Sequence, residues 1–248
     1  TSLIDVARTP LGPGTLVYAH RGDRSRAPDN TIEAYVLAVE AGADGIELDV
    51  RRTRDGVLIV HHDDRDPAIG ILSSLDFRVL REMAPQVPTL REAMEVIPRH
   101  VFVNVEIKNI PGDAGFDEER SIVDETIDEL RAYDEPTRIL LSSFDPMSMQ
   151  RAGDVGPEFL RGQLVRTPVP LDIGLSFARE FKMDAINPQY TLLRDNTTEL
   201  MAQIREANLR TVVWDVNSAE EIEAIAAAGA DAIITNDPRM ARAVLDQP

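Results

Sequence analysis

Ala41-Gly42-Ala43-Asp44-Gly45-Ile46-Glu47-Leu48-Asp49-Val50 carries the plan of the chain. Gly42 stands where a glycine closes a helix, behind Ile32, Tyr35, Val36 and Val39, which follow the period of one buried helical face. The apolar run after it reads as a strand. Near the other end, Ala228-Gly229-Ala230-Asp231-Ala232-Ile233 repeats the same helix-to-strand junction, as chained βα units would. Working outward, strands are expected at Leu16 to Ala19, Gly45 to Val50, Val101 to Ile107 and Arg138 to Ser142. Phe159 to Val165, Asp184 to Asn187, Thr211 to Asp215 and Asp231 to Thr235 complete a set of eight. Asn30 with Glu33, Thr89 with Glu92, and Ser218 with Glu221 have capping-box spacing and mark helix starts. The pattern predicts one domain over residues 1–248, a (β/α)8 TIM barrel with a small insertion after the second strand. An open doubly wound sheet is the runner-up, but neither a glycine-rich dinucleotide loop nor a P-loop supports it.

Composition narrows the function. With 43% hydrophobic residues the chain can build a large core, yet no apolar run approaches the ~20 residues that span a bilayer. A formal net charge of -17 opposes binding to nucleic-acid phosphates and docking on anionic lipid, so neither partner is expected. An anionic substrate would need a local positive centre to overcome the global field. The first residues show no basic segment followed by an apolar one, so the expected compartment is the cytoplasm; a mature chain already cleaved would look the same. Zero cysteines exclude thiolate chemistry.

Beyond the first strand pair, Arg54-Asp55-Gly56-Val57 flanked by apolar residues predicts a hairpin with a two-residue turn at Asp55-Gly56. That register sets Asp49 opposite His62 and Glu47 opposite Asp64. Opposed residues share a face, so Glu47, Asp49 and His62 would meet while His61 points away. Burying two acids side by side is costly unless a cation neutralises them, which suggests a metal site with a histidine beside it.

Active sites of such barrels lie at the C-terminal ends of the strands. Those ends carry His20-Arg21-Gly22, Glu47 with Asp49, and Glu106-Ile107-Lys108, to which the hairpin adds His62. Three carboxylates suit a hard divalent cation, Ca²⁺ or Mg²⁺. Two histidines could serve as general base and acid, and Arg21 and Lys108 could hold an anion. The set reads as phosphoryl-ester chemistry. Each part also has a plain structural reading: a solvated hairpin, a strand-end cap for His20-Arg21, a buried ion pair of Glu106 with Lys108.

In these residues the chain resembles the glycerophosphodiester phosphodiesterase family. The likeness runs through His20-Arg21-Gly22, Ala27-Pro28-Asp29-Asn30-Thr31, Gly42 to Val50, Asp55-Gly56, His62-Asp63 and Glu106-Ile107-Lys108. It closes with Val213-Trp214-Asp215-Val216-Asn217 and Gly229 to Asn236. The resemblance implies a TIM barrel that hydrolyses glycerophosphodiesters to an alcohol and sn-glycerol 3-phosphate. It implies metal binding by Glu47, Asp49 and Glu106 and acid/base roles for His20 and His62. It makes Arg21 and Lys108 phosphate-binding candidates and sets Trp214 at the pocket or in ordinary packing at the barrel top. Asp29 stands where the family usually has Glu, and Arg65-Asp66-Pro67-Ala68 replaces its common Arg-Thr-Thr stretch.

The rivals are a lysophospholipase-D-like enzyme using the same site, and a catalytically silent barrel that binds phosphodiesters. The insertion is broken by Pro67, Pro85 and Pro88, and its apolar residues (Ile69, Ile71, Leu72, Phe77) are scattered. That predicts no long acyl groove there and favours soluble substrates.

Overall fold

The computed structural model describes residues 14–246; the reading of the first residues as carrying no leader lies outside the described residues. The strands run β1 (Leu16–His20), β2 (Gly45–Arg52), β3 (Leu58–Val60), β4 (Arg65–Asp66), β5 (Gly70–Ile71), β6 (Phe102–Ile107), β7 (Ile139–Ser143), β8 (Leu160–Val165), β9 (Ala185–Pro188), β10 (Arg210–Val213) and β11 (Ala232–Thr235). β1 pairs in parallel with both β11 and β2, so the sheet closes on itself as an eight-stranded barrel, with β3 antiparallel on the outer part of β2. Helices follow the strands, and the (β/α)8 TIM barrel expected from the pattern is the fold.

Alternation along the strands makes two cores. Ile46, Leu48 and Val50 point outward and pack with Tyr35, Leu90, Val103, Val105 and Ile107 between barrel and helices. Each such side chain, fully buried, contributes roughly 1.5–3 kcal/mol. Inward-facing Tyr18, Leu140, Ala185, Val212, Ala232 and Ile234 plug the barrel floor. The polar side chains facing the lumen above that plug therefore sit on a dry base.

The repeated junction has a physical cause. Gly42 and Gly229 are both left-handed, at φ 81 and 83. The aspartate two residues on ties its strand to a neighbour: Val17 N donates to Asp44 Oδ2 and Thr211 N to Asp231 Oδ2, each at 2.8 Å. A third copy, Lys182-Met183-Asp184-Ala185-Ile186, does the same with Arg161 N at 2.9 Å. Lys182 takes the glycine's place at φ 52, which hides the repeat from sequence comparison.

Two local expectations are corrected. The hairpin pairs Val50 with Val60 and Arg52 with Leu58, one residue away from the predicted register. The turn spans three residues, with Gly56 N donating to Thr53 O and Gly56 at φ 84. His61, not His62, lies opposite Asp49, and its N–H donates to Asp49 O at 2.9 Å. The cause is Thr53, whose hydroxyl accepts from Val57 N and donates to Asp55, while Asp55 also accepts from Phe77 N of the insertion. The second correction is at Asn30. Thr31 caps the helix Ile32–Glu40 by accepting from Ala34 N, whereas the expected boxes at Thr89 and Ser218 are formed.

The insertion comprises β4, β5, a short turn and the helix Phe77–Met83 over its own small core of Ile59, Leu72, Leu80, Ala84 and Val87. No helix among the described residues is long and apolar enough to cross a membrane.

Candidate active site

Barrel geometry gathers the strand-end side chains. In the β2–β6 register Asp49 is the partner of Glu106 and Glu47 that of Asn104, so all four face the lumen. One carboxylate oxygen from each of Glu47, Asp49 and Glu106 lies within 4.8 Å of the others, and all three residues are buried. Oxygens sharing one ion at about 2.0–2.6 Å stand up to roughly 4–5 Å apart, so the donor set fits a hard divalent cation.

The protein's own cations leave that acid cluster incompletely neutralised. Lys108 Nζ lies 2.5 Å from Glu106 and 3.0 Å from Asp49, and Arg21 Nε lies 3.0 Å from Asp49. Asn30 Nδ2 donates to Asp49 at 2.7 Å and is itself held by the Tyr35 hydroxyl. Burial alone would raise Asp49, but Lys108 and Arg21 hold it well below the usual carboxylate range. Glu47 has no Lys or Arg side chain in contact, only Arg21 N at 3.1 Å and His20 Nε2 at 3.9 Å. Burial first, then the charge of Asp49, push its carboxyl far up.

The two histidines come from β1 and from the loop after β3, the two strands paired with the first and last parts of β2. His20, the last residue of β1, turns Nδ1 to Asp215 Oδ1 at 2.9 Å and Asn236 Oδ1 at 2.8 Å. Nε2 then faces the cleft, 3.9 Å from Glu47. Burial works against its charge, yet Asp215 and Glu47 raise its pKa above the usual histidine value. His62 gives Nδ1 to Asp63 at 2.7 Å, leaving Nε2 for the cleft, and burial and Lys108 lower its pKa. Arg51 Nε donates to His62 O, which pins this loop where strand alternation has ended. His61 turns to Asp63 O and Asp66, off the cleft wall. The predicted pairing of Asp49 with His62 is not formed, although His62 does lie on the wall.

Arg21 and Gly22 form a left-handed bend at φ 58 and 85. A Cβ on Gly22 would stand 2.6 Å from Ala34 backbone, so only glycine lets the loop lie down here. The bend aims Arg21 inward. Asp29, short as it is, reaches Arg21 Nη1 at 3.0 Å, so the missing methylene breaks no contact.

His20, Arg21, Glu47, His62, Glu106 and Lys108 line one cleft of about 220 Å³ at the C-terminal mouth, with Asp49 fully buried behind Lys108 and Arg21. Trp214 is on its wall, edge-to-face against Phe144 at 5.7 Å, with its indole N–H donated to Asn187 O. Its ring, not its N–H, is what it offers a ligand. The guanidinium of Arg166 stacks 4.8 Å over Phe144 at the rim. Past Phe144, Leu164 and Arg166 lies a second, apolar cleft of about 330 Å³, walled by Val169, Ile173 and Phe177.

The family pattern defined as the glycerophosphoryl diester phosphodiesterase family matches residues 20–240, from the first cleft histidine to the last helix. The chain belongs to this family. Its class is that of a phosphoric diester hydrolase. A glycerophosphodiester phosphodiesterase of Caldanaerobacter subterraneus subsp. tengcongensis is 32% identical, over 90% of this chain and 95% of the relative. Among solved structures, an Oleispira antarctica phosphodiesterase in complex with the product sn-glycerol-3-phosphate superposes with a TM-score of 0.82 at 22% identity, covering 94% of this chain and 98% of that one. A Thermotoga maritima glycerophosphodiester phosphodiesterase gives 0.74 at 23%, covering 92% and 97%. At those identities the two structures speak for the fold.

Several residues of this family member's site carry no role in the sequence reading. Asp215 and Asn236 orient His20, Asp63 orients His62, Asn30 braces Asp49, and Arg51, Asn104 and Arg166 line the cleft. In sequence Asn30 has the spacing of a helix cap, and the others, Asp215 apart, carry no pattern that marks a role. Only Asp215, directly after a strand-end tryptophan, carried a usable signal.

Proposed function

We propose that this protein hydrolyses glycerophosphodiesters to an alcohol and sn-glycerol 3-phosphate, with a divalent cation, Ca²⁺ or Mg²⁺, held by Glu47, Asp49 and Glu106. The single observation that supports this reading best is the meeting of three buried carboxylates, two carboxylate-oriented histidines, Arg21 and Lys108 in one strand-end cleft. The cation would neutralise phosphodiester oxygens as a Lewis acid. Arg21 and Lys108 add positive charge on the same side, and their existing carboxylate partners hold them in place before substrate arrives. Of His20 and His62, one removes a proton from the nucleophile, water or the neighbouring glycerol hydroxyl, and the other protonates the leaving alcohol oxygen. Asp215 and Asp63 each fix a ring so that Nε2 does the work. The cytoplasm remains the proposed setting.

The apolar cleft beyond Phe144 favours a second reading, a lysophospholipase-D-like enzyme whose substrate lays a chain there. Val169 and Ile173 on that wall are 42% and 46% exposed. A net charge of -17 still opposes work on anionic surfaces. Soluble substrates such as glycerophosphocholine or glycerophosphoethanolamine should therefore exceed long-chain lysophospholipids in kcat/KM, measured below the critical micelle concentration. A lysophospholipid preference of about tenfold, roughly 1.4 kcal/mol at the transition state, would replace the first reading with the second.

A further inference from the structure

Asn104 stands in the middle of β6, between Phe102 of the floor and Glu106 of the acid cluster, and its register partner on β2 is Glu47. It is 1% exposed and lines the cleft. Neither its Nδ2 nor its Oδ1 has a hydrogen-bond partner within the protein. A buried amide with both ends unpaired is destabilising, and a leucine of similar shape would remove the cost. Asn187 and Ser142 also carry unpaired buried atoms, but they lie off the cleft wall.

The chemistry of the surrounding wall says what such an amide would take. Ionised carboxylates there only accept, and Arg21, Arg51, Lys108 and Arg166 only donate. Both histidines have Nδ1 committed to carboxylates. Among the described residues on the wall, Asn104 is the one amide, offering a fixed donor beside a fixed acceptor. Its complement is a hydroxyl, or a pair of adjacent hydroxyls. The floor beneath it is closed by Tyr18, Leu140, Val212 and Ile234, so only a short moiety fits at that depth.

Resting on the glycerophosphodiester reading, we infer that Asn104 binds the free hydroxyls of the glycerol half and thereby sets the direction of the substrate. The glycerol points into the barrel and the leaving alcohol lies at the rim, against Phe144, Arg166 and Trp214. Asn104 is a positioning and specificity residue. It takes no part in proton transfer.

The test compares ligands that differ only in those hydroxyls. Dissociation constants of sn-glycerol 3-phosphate and of propyl phosphate are measured by calorimetry with Ca²⁺ or Mg²⁺ present, alongside Ca²⁺ and Mg²⁺ binding itself. The wild-type protein should prefer glycerol 3-phosphate by about tenfold or more, as one or two hydrogen bonds would give. Asn104→Leu should bring the ratio close to one while propyl phosphate and metal binding stay within about threefold. Asn104→Ala should do the same if the leucine variant fails to fold. The inference is overturned by a wild-type protein without preference, by variants that keep it, or by both ligands weakening together, as a structural or metal-ligating role would produce. A wild-type protein that turns over no glycerophosphodiester at all would instead remove the reading of function.

Discussion

Replacing His62 by alanine should lower kcat by about 10²-fold or more, and replacing His20 should do the same, because the proposed mechanism makes each a positioned proton-transfer group. His61→Ala should have a much milder effect. His61 contributes its backbone N–H to Asp49 O, which alanine keeps, and its ring turns toward Asp63 O and Asp66. His62 lies on the cleft wall with Nε2 unclaimed, and His20 presents Nε2 beside Glu47. Steady-state kinetics on a soluble glycerophosphodiester, with thermal melts to establish that each variant folds, checks the series. A loss at His61 equal to that at His62 would show that the loop after β3 delivers the other ring.

The second large effect falls on the acid cluster. Asp49→Asn keeps the shape of a side chain that is fully buried but deletes its charge. Divalent-cation affinity measured by calorimetry should drop by about 10²-fold or more, since even residues behind a metal ligand are worth 10–100-fold. The substitution also leaves Lys108 and Arg21 short of a partner. Breaking a buried ion pair costs roughly 3–5 kcal/mol, so the melting temperature should fall as well. Glu47→Gln separates the two consequences. Glu47 has no Lys or Arg pair to break, so it should lose cation affinity with little loss of stability. Unchanged affinity in both variants would mean that the cluster serves only to anchor Lys108 and Arg21.

How far the sequence could be read is decided residue by residue. The barrel was legible because its signals are local: a glycine closing a helix, an aspartate opening a strand, and alternation along each strand. The third junction escaped because Lys182 adopts the left-handed conformation without glycine's signature. Glu47, Asp49 and Glu106 could be grouped because parallel strands in register align their alternation. His62 could not be placed by the same logic. Its position depends on a local turn of Thr53 and Asp55 that the distant Phe77 N–H locks, and on Arg51 holding its carbonyl from the neighbouring strand. Asn30 differs from its expected role for a similar reason, since its side chain serves Asp49 on the neighbouring β2 while the adjacent Thr31 caps the helix. The insertion's scattered apolar residues predict no acyl groove, whereas the apolar cleft is built from the ends of β7 and β8 and the helix Leu171–Glu180, where no local pattern marks a cavity.

The most direct measurement is phosphorus NMR of glycerophosphocholine incubated with the purified protein, first with Ca²⁺ or Mg²⁺ and then with excess chelator. The account predicts conversion of the diester signal to that of glycerol 3-phosphate with metal, and none once the metal is removed. A transient cyclic phosphate signal would identify the glycerol hydroxyl as nucleophile. Full turnover in chelator, with metal analysis showing no bound ion, would contradict the account, as would an unchanged diester signal with either cation.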